Sequence, residues 1–172
     1  GLITARSGVN LSGGQLTVGT GVTIGVAGIA TFRTGRIDVG DALYNTSIGQ
    51  GAGDAHTTGS ENTAVGYDAL TANTTGTRST ALGFEALKTN TTGANNIGIG
   101  YRALYVNTTG KDNVSIGYKN LDANTTGSQN VAVGRGTLGA NTTASGNTAI
   151  GYAALQANTT GQYNVGVGNS AL

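Results

Sequence analysis

Most of the sequence repeats itself with a period of 17 residues. From Asn45 onward, every seventeenth residue is Asn except in one copy, which has Ser79, and the register never slips. Seven complete copies fill residues 45–163, and an eighth begins at Asn164 and reaches Leu172. A fixed period of this length is typical of repeat architectures, in which every copy forms one structurally equivalent turn.

Two apolar columns recur within the copies, whose positions we number from 1 at the Asn. Position 4 is always Val, Leu or Ile, and position 9 is Leu in every copy but the first. A position that keeps its apolar character in successive copies is predicted to face a buried core. The predicted solenoid core is therefore formed by Val65, Leu70, Leu82, Leu87, Ile99, Leu104, Ile116, Leu121, Val133, Leu138, Ile150 and Leu155.

Position 5 is glycine in every copy. A glycine that never varies predicts a backbone with positive φ or a site that excludes a Cβ atom, so this column is expected to form a corner. The corner glycines are Gly49, Gly66, Gly83, Gly100, Gly117, Gly134, Gly151 and Gly168.

Positions 12–15 read Asn-Thr-Thr-Gly in five of the copies, which is typical of a turn. Each copy then contains a short strand, a corner, a second short strand carrying Ala and Leu, and this turn. Stacking such flattened coils gives parallel sheets with about 4.8 Å between coils. The glycine and the turn leave no room for a normal helix, so the sequence predicts an all-β, parallel β-solenoid (β-roll) of 17-residue coils rather than helical repeats.

The composition excludes several functional classes. Only 10% of residues are charged and the net charge is +1, which disfavours nucleic-acid binding, and no apolar run is long enough for membrane insertion. The chain has one histidine, His56, and no cysteine, so no catalytic, metal or cofactor-binding residues are expected. Asp68 and Glu85 both occupy position 7, but Arg102 and Lys119 take the same position in the next two copies. We therefore interpret this column as a solvated ladder of charges rather than a catalytic pair.

Further apolar residues occupy position 2 (Ile97, Val114, Val131, Val165) and position 6. Because one thin coil buries little surface, covering one of these columns with another copy of the chain would add needed stability, which predicts a homo-oligomer. The aromatic column at position 6 is expected to form the subunit interface or to contact glycans. It contains Tyr67, Phe84, Tyr101, Tyr118 and Tyr152.

Residues 1–44 lie outside the period. Val18, Val22 and Ile24 indicate strands broken by glycines, so this segment is predicted to be an N-terminal β stalk or docking segment preceding the solenoid of residues 45–172. The first copy departs from the pattern, with Gln50 in place of the aromatic residue, as is common in a capping repeat.

The run "NVSIGYKNLDANTTGSQNVAVGRGTLGANTTASGNTAIGYAAL" resembles the tandem repeats of bacteriophage tail-fibre proteins, especially those of marine cyanophages. Its "NTAIG" and "NVSIG" cores are similar to the "SVAIG"-type motif of trimeric autotransporter adhesin heads, whose repeat is a few residues shorter. The resemblance covers residues 45–172. It implies a left-handed β-roll that assembles as a parallel homotrimer.

The resemblance implies a non-enzymatic structural fibre protein, a rigid rod of a phage tail fibre or virion appendage that supports attachment to a host receptor. Its expected partners are itself, in end-to-end fibres as well as trimers, other virion tail proteins, and a host surface glycan or receptor. A bacterial surface adhesin of the trimeric autotransporter type is the alternative. An ice-binding β-solenoid is a more distant one, because positions 13 and 14 stack threonines.

Overall fold

A computed structural model describes residues 43–172, which form a parallel β-solenoid. Eight strands in this range follow one another in a single parallel sheet in sequence order. Each strand pairs with the next at an offset of 17 residues, so that Ala64 lies beside Ala81. This confirms the predicted β-solenoid of 17-residue coils. The strands are β1 (Thr46–Ile48), β2 (Thr63–Val65), β3 (Thr80–Leu82), β4 (Ile97–Ile99), β5 (Val114–Tyr118), β6 (Val131–Arg135), β7 (Thr148–Tyr152) and β8 (Val165–Val167).

The predicted N-terminal β segment, residues 1–44, lies outside the described residues except for its last two. The second strand predicted in each copy is absent from residues 43–172, where that side of the coil is a run of turns. Its backbone alternates into the left-handed region, with φ of 51° at both Asp68 and Leu70, which is incompatible with a strand. The backbone still bonds between coils, because Leu70 N donates to Ala86 O at 3.1 Å.

The interior of the solenoid is thin and is filled by one leucine in each of coils two to seven. The position 9 leucines are fully or almost fully buried, from Leu70 through Leu155. Opposite them, position 3 of the strand holds only Ala, Ser or Gly in β2–β8. A Cβ atom added to Gly98 would lie 3.0 Å from Cγ of Leu87, so a larger side chain at position 3 would collide with the leucine.

The position 4 aliphatics do not lie in this interior, which corrects the prediction for half of the proposed core. Leu82 is 46% exposed, Ile116 is 37% exposed and Ile150 is 41% exposed. Val65, Ile99 and Val133 are half-buried. The reason is that successive side chains of a strand point to opposite faces, so the inward position 3 forces positions 2 and 4 outward.

Position 8 also faces the interior and is usually Ala. Two consecutive coils depart from this, with Asn120 and Thr137, and both residues are fully buried. The Asn120 amide donates to Ile116 O at 2.7 Å and to Gly134 O at 2.8 Å, and its Oδ1 accepts from Thr137 N at 3.0 Å. The column thus carries one polar step between β5 and β7.

The position 1 asparagines form a buried ladder that links the coils. Asn113 N donates to Asn96 Oδ1 at 3.0 Å, and Asn130 N donates to Asn113 Oδ1 at the same distance. Asn147 continues the series by donating its backbone N–H to Asn130 Oδ1. Each side-chain carbonyl therefore satisfies a backbone donor of the following coil.

The position 12 asparagines form a second buried ladder. Asn107 Nδ2 donates to Asn90 Oδ1 at 2.8 Å, and Asn124 Nδ2 donates to Asn107 Oδ1 at 2.9 Å. These residues were predicted only as part of a turn, yet their side chains are fully buried. A buried amide needs partners for its donors and acceptor, and the identical residue of a neighbouring coil supplies them from Asn73 to Asn124. The ladder ends at Asn141, whose Oδ1 accepts no hydrogen bond from the described residues.

In the second coil and in coils four to seven, the two ladders meet on one carbonyl, at position 15. Gly110 O accepts from Asn96 Nδ2 at 2.8 Å and from Asn107 Nδ2 at 3.0 Å. The carbonyls of Gly76, Gly127, Ala144 and Gly161 each accept the same two bonds in their own coils. We call this pair of bonds to one carbonyl the asparagine clamp, since it joins the beginning of a coil to its end.

The corner glycines behave as the sequence predicted. Gly117 has φ of 128°, a conformation that L-residues rarely adopt. A Cβ atom on Gly117 would overlap the carbonyl oxygen of Gly134 in the next coil, and the equivalent overlap recurs from Gly49 to Gly151. The corner therefore requires glycine both for its dihedral angle and for close stacking of the coils.

The third coil lacks half of the clamp, because the shorter Ser79 stands at position 1 and, within the described residues, the Gly93 carbonyl accepts a side-chain hydrogen bond from Asn90 Nδ2 alone. We expect Ser79→Asn to raise the free energy of unfolding by about 1 kcal/mol, since it adds a buried hydrogen bond. The reciprocal change, Asn96→Ser, should lower it by a similar amount. Urea denaturation followed by circular dichroism measures both, and unchanged midpoints would contradict the stabilising role of the clamp.

Replacing a corner glycine tests the stacking geometry. Gly117→Ala should destabilise the chain by about 3 kcal/mol, because it adds both backbone strain and overlap. Gly139→Ala is the matched control, as Gly139 does not have a left-handed φ and its added Cβ would have no atom closer than 3.3 Å. Thermal melts of the two variants should differ clearly, and equal melting temperatures would show that the corner tolerates a side chain.

Candidate interaction surface

The outward side of the sheet carries a continuous apolar surface. Positions 2 and 4 point the same way on every strand, and we call these two columns of β1–β8 the apolar sheet face. Its position 4 column runs without interruption from Ile48 to Val167. Position 2 is apolar in β4, β5, β6 and β8 and threonine in the other strands. Large side chains such as Ile48, Ile97 and Val165 are exposed in the single chain.

The aromatic residues of position 6 stack into a ladder along the edge of this face. Ring centroids are 5.2 Å apart between Tyr67 and Phe84, 5.4 Å between Phe84 and Tyr101, and 5.2 Å between Tyr101 and Tyr118. The planes deviate from parallel by at most 12°. The rings stack because equivalent residues of adjacent coils are separated by about one strand spacing. Together with Tyr152, they are 37–51% exposed.

Arg135 replaces the aromatic residue in one coil without interrupting the ladder. Its guanidinium carbon lies 5.4 Å from the Tyr118 ring centroid and 5.5 Å from that of Tyr152, and Nη1 donates to Tyr152 Oη at 3.2 Å. A guanidinium between two rings makes favourable cation–π contacts on both sides. Arg135 was not among the predicted contact residues, because only aromatic side chains were considered at position 6. A planar cation at this position of an aromatic column could have identified it.

The position 7 column is not the solvated charge ladder that was predicted. Glu85 is only 6% exposed, and its carboxylate accepts from Lys88 Nζ and from Arg102 Nε, each at 2.6 Å. Lys88 Nζ also lies 3.0 Å from Asp68 Oδ2. The reason for the correction is that Lys88, at position 10, reaches back between the two carboxylates and draws them into one network.

This network fixes the ionisation of its members. The Lys88 ammonium hydrogen bond lowers the pKa of the Glu85 carboxyl, outweighing the opposing effect of burial, and Arg102 lowers it further. The hydrogen bonds that the Lys88 ammonium donates to Glu85 and Asp68 raise the pKa of Lys88 in turn. A carboxylate held ionised between two cations is suited to crosslinking coils 2–4, because it has no tendency to carry a proton near neutral pH.

The threonines of position 13 use their hydroxyls within the solenoid. Thr74 Oγ1 donates to Thr91 O at 3.1 Å, Thr91 Oγ1 to Thr108 O at 3.1 Å, and Thr108 Oγ1 to Thr125 O at 3.0 Å. These donors are consumed between coils, so this column presents fewer free hydroxyl donors to solvent than its composition suggests. Residues 43–172 contain no group of three or more acidic, His or Cys side chains placed to hold a metal ion.

Within the described range, no helix combines the length and the hydropathy needed to cross a membrane. The chain matches no protein-family model, and it has no significant match among curated proteins or solved structures.

The ionisation of Glu85 predicts how stability depends on pH. Because its pKa is lower in the folded chain than its ordinary value of 4.5, its stabilising contribution is complete above that value and is lost as the pH falls through the folded-state pKa. Glu85→Gln should lower the free energy of unfolding at pH 7 by about 1 kcal/mol, a value reduced by solvent screening.

The same variant should lose less stability than the unaltered protein between pH 6 and pH 3. Glu61→Gln, a change of an exposed residue, serves as the control. Urea denaturation across this pH range provides the measurement, and parallel pH profiles for the Glu85 variant and the unaltered chain would contradict the role of the network.

Proposed function

We propose that the protein is a non-enzymatic structural fibre protein, a rigid parallel homotrimeric rod, left-handed in its coils, of a phage tail fibre or virion appendage that supports attachment to a host receptor. The observation that carries the proposal is the apolar sheet face. It contributes nothing to the core of its own chain, yet it is apolar along every strand from Ile48 to Val167.

The size of the face supports its role as an interface. Eight strands about 4.8 Å apart, each presenting positions 2 and 4, give a continuous strip roughly 34 Å long and about 7 Å wide. Contiguous exposed apolar surface on a soluble protein is often functional. The branched side chains stand in straight columns, so the face has evenly spaced ridges and grooves into which an identical face can pack.

The period of the face favours another copy of the same chain as its partner. Its side chains recur once per coil, so a surface that packs against all of them must carry the same spacing. A parallel copy in register provides that spacing. Three copies arranged around one axis can cover the apolar sheet faces of one another. The trimeric number comes from the resemblance to trimeric adhesin heads.

The interior suits a stiff rod. Each coil is bonded to both neighbours through two asparagine ladders and the sheet, and each adds about 4.8 Å of length. Copy number therefore sets the length of the rod without changing its cross-section. Other virion tail proteins would join its ends, and the virion is the proposed location.

The exposed aromatic ladder favours a second candidate, a bacterial surface adhesin in which the repeat surface itself contacts the host. Five aromatic rings that remain 37–51% exposed could stack on sugars or on a protein partner. The ice-binding alternative receives less support, because the position 13 hydroxyls donate within the solenoid.

Light scattering on the isolated chain tests the assembly. We expect a molar mass of about 51 kDa, three times 17.0 kDa. Ile116→Asp places a charge in the centre of the apolar sheet face and should give monomers of 17.0 kDa, whereas Thr109→Asp, in the exposed turn, should remain trimeric. A stable monomer of the unaltered chain would overturn the proposal.

A further inference from the structure

A groove interrupts the flank of the solenoid at the sixth coil. Here the sequence places Arg135 at position 6 and glycines at positions 7 and 10, Gly136 and Gly139. The two missing side chains leave a groove of about 490 Å³ between the fifth and seventh coils. Its volume lies within the range of roughly 300–1,000 Å³ that is usual for small-molecule sites.

Large side chains fill positions 7 and 10 in two of the other coils. In the third and fourth coils, positions 7 and 10 hold Glu85, Lys88, Arg102 and Tyr105. Glu85 bonds to both cations, and the guanidinium carbon of Arg102 lies 4.7 Å from the centroid of the Tyr105 ring. The groove is thus a local departure from the repeat rather than a property of every coil.

The charged groups of the groove are not paired with one another. Within residues 43–172, Lys119, Asp122 and Arg135 form no ion pair, in contrast to the network around Glu85. Among residues 43–172, the Arg135 guanidinium donates a hydrogen bond to Tyr152 Oη alone, which leaves most of its donors available within this range. The rings of Tyr118 and Tyr152 hold it in place on both sides.

The opposite side of the groove offers acceptors and an amide. Asp122 precedes the groove on the fifth coil and Gln156 follows it on the seventh. A Cβ atom added to Gly139 would lie 3.7 Å from Asp122 Oδ1 and 3.8 Å from Gln156 Cγ, so both side chains border the same space. Asp122 is half-buried, and this burial raises the pKa of its carboxyl.

We propose that this groove binds a saccharide that carries a carboxylate. The fixed guanidinium of Arg135 matches a carboxylate in charge and in planar geometry, and Lys119 adds a second cation. The Asp122 carboxylate and the Gln156 amide can bond to sugar hydroxyls. A neutral sugar would leave the Arg135 guanidinium without a carboxylate partner.

The proposal does not rest on the proposed fibre function, because every lining residue belongs to one chain. A protein that proves monomeric can still bind the saccharide, and a trimer can fail to bind it. The oligomeric state and the ligand are measured separately.

Isothermal titration calorimetry with digalacturonate tests the groove, with its dimethyl ester as the uncharged control ligand. Arg135→Tyr restores the aromatic residue that this column holds at Tyr118, so the variant should fold while losing the carboxylate partner. Gly139→Tyr fills the groove with the residue that the same column holds at Tyr105. Gln50→Tyr changes position 6 in the first coil, far from the groove, and is the matched control.

We expect saturable binding of digalacturonate, at least tenfold weaker binding of the ester, and a loss of at least tenfold in affinity in Arg135→Tyr and Gly139→Tyr. Gln50→Tyr should bind like the unaltered chain, and circular dichroism should show that all three variants retain the fold. Equal binding of the acid and the ester, no saturable binding of the acid, or unchanged affinity in folded Gly139→Tyr would each overturn the proposal.

Discussion

The fold depends on the hydrogen bonds of buried asparagines. In five coils, one amide near the beginning and one near the end donate to the same backbone carbonyl, as Asn96 and Asn107 do at Gly110. The side-chain carbonyls of both ladders then satisfy donors in the next coil. Because a coil of 17 residues encloses little apolar volume, these bonds perform the closing role that a larger hydrophobic core has in a globular domain.

This economy of volume decides where the apolar side chains lie. One leucine per coil fills the interior, and the strand opposite it can present only small residues such as Ala64 or Gly98. The larger aliphatics of the strand must then point outward, where they form a surface with the same spacing as the coils. Because leucine and asparagine fill the interior, the strand aliphatics form an exposed apolar surface that is suited to binding another protein chain.

The sequence predicted the architecture well and the distribution of its side chains less well. The constant 17-residue period and the corner glycines were sufficient for the parallel solenoid, since both express the stacking geometry directly. The position 4 column was misplaced because a constant apolar position indicates burial without identifying what covers it. Only the alternation of side chains within a short strand assigns Leu82 and Ile116 to the outer face. The groove was not foreseen, because it arises from side chains that are missing at Gly136 and Gly139.

The buried polar step of Asn120 and Thr137 has a consequence for how the chain finds its pairing. In a sequence of near-identical coils, a strand that slips by one whole copy meets almost the same neighbours, so mispaired states compete closely with the native one. A slipped chain would set the Asn120 side chain beside an alanine in place of Thr137 and so change the side-chain volume that this fully buried column must hold. This irregular level distinguishes one coil from the next and favours one alignment of the chain over its shifted copies.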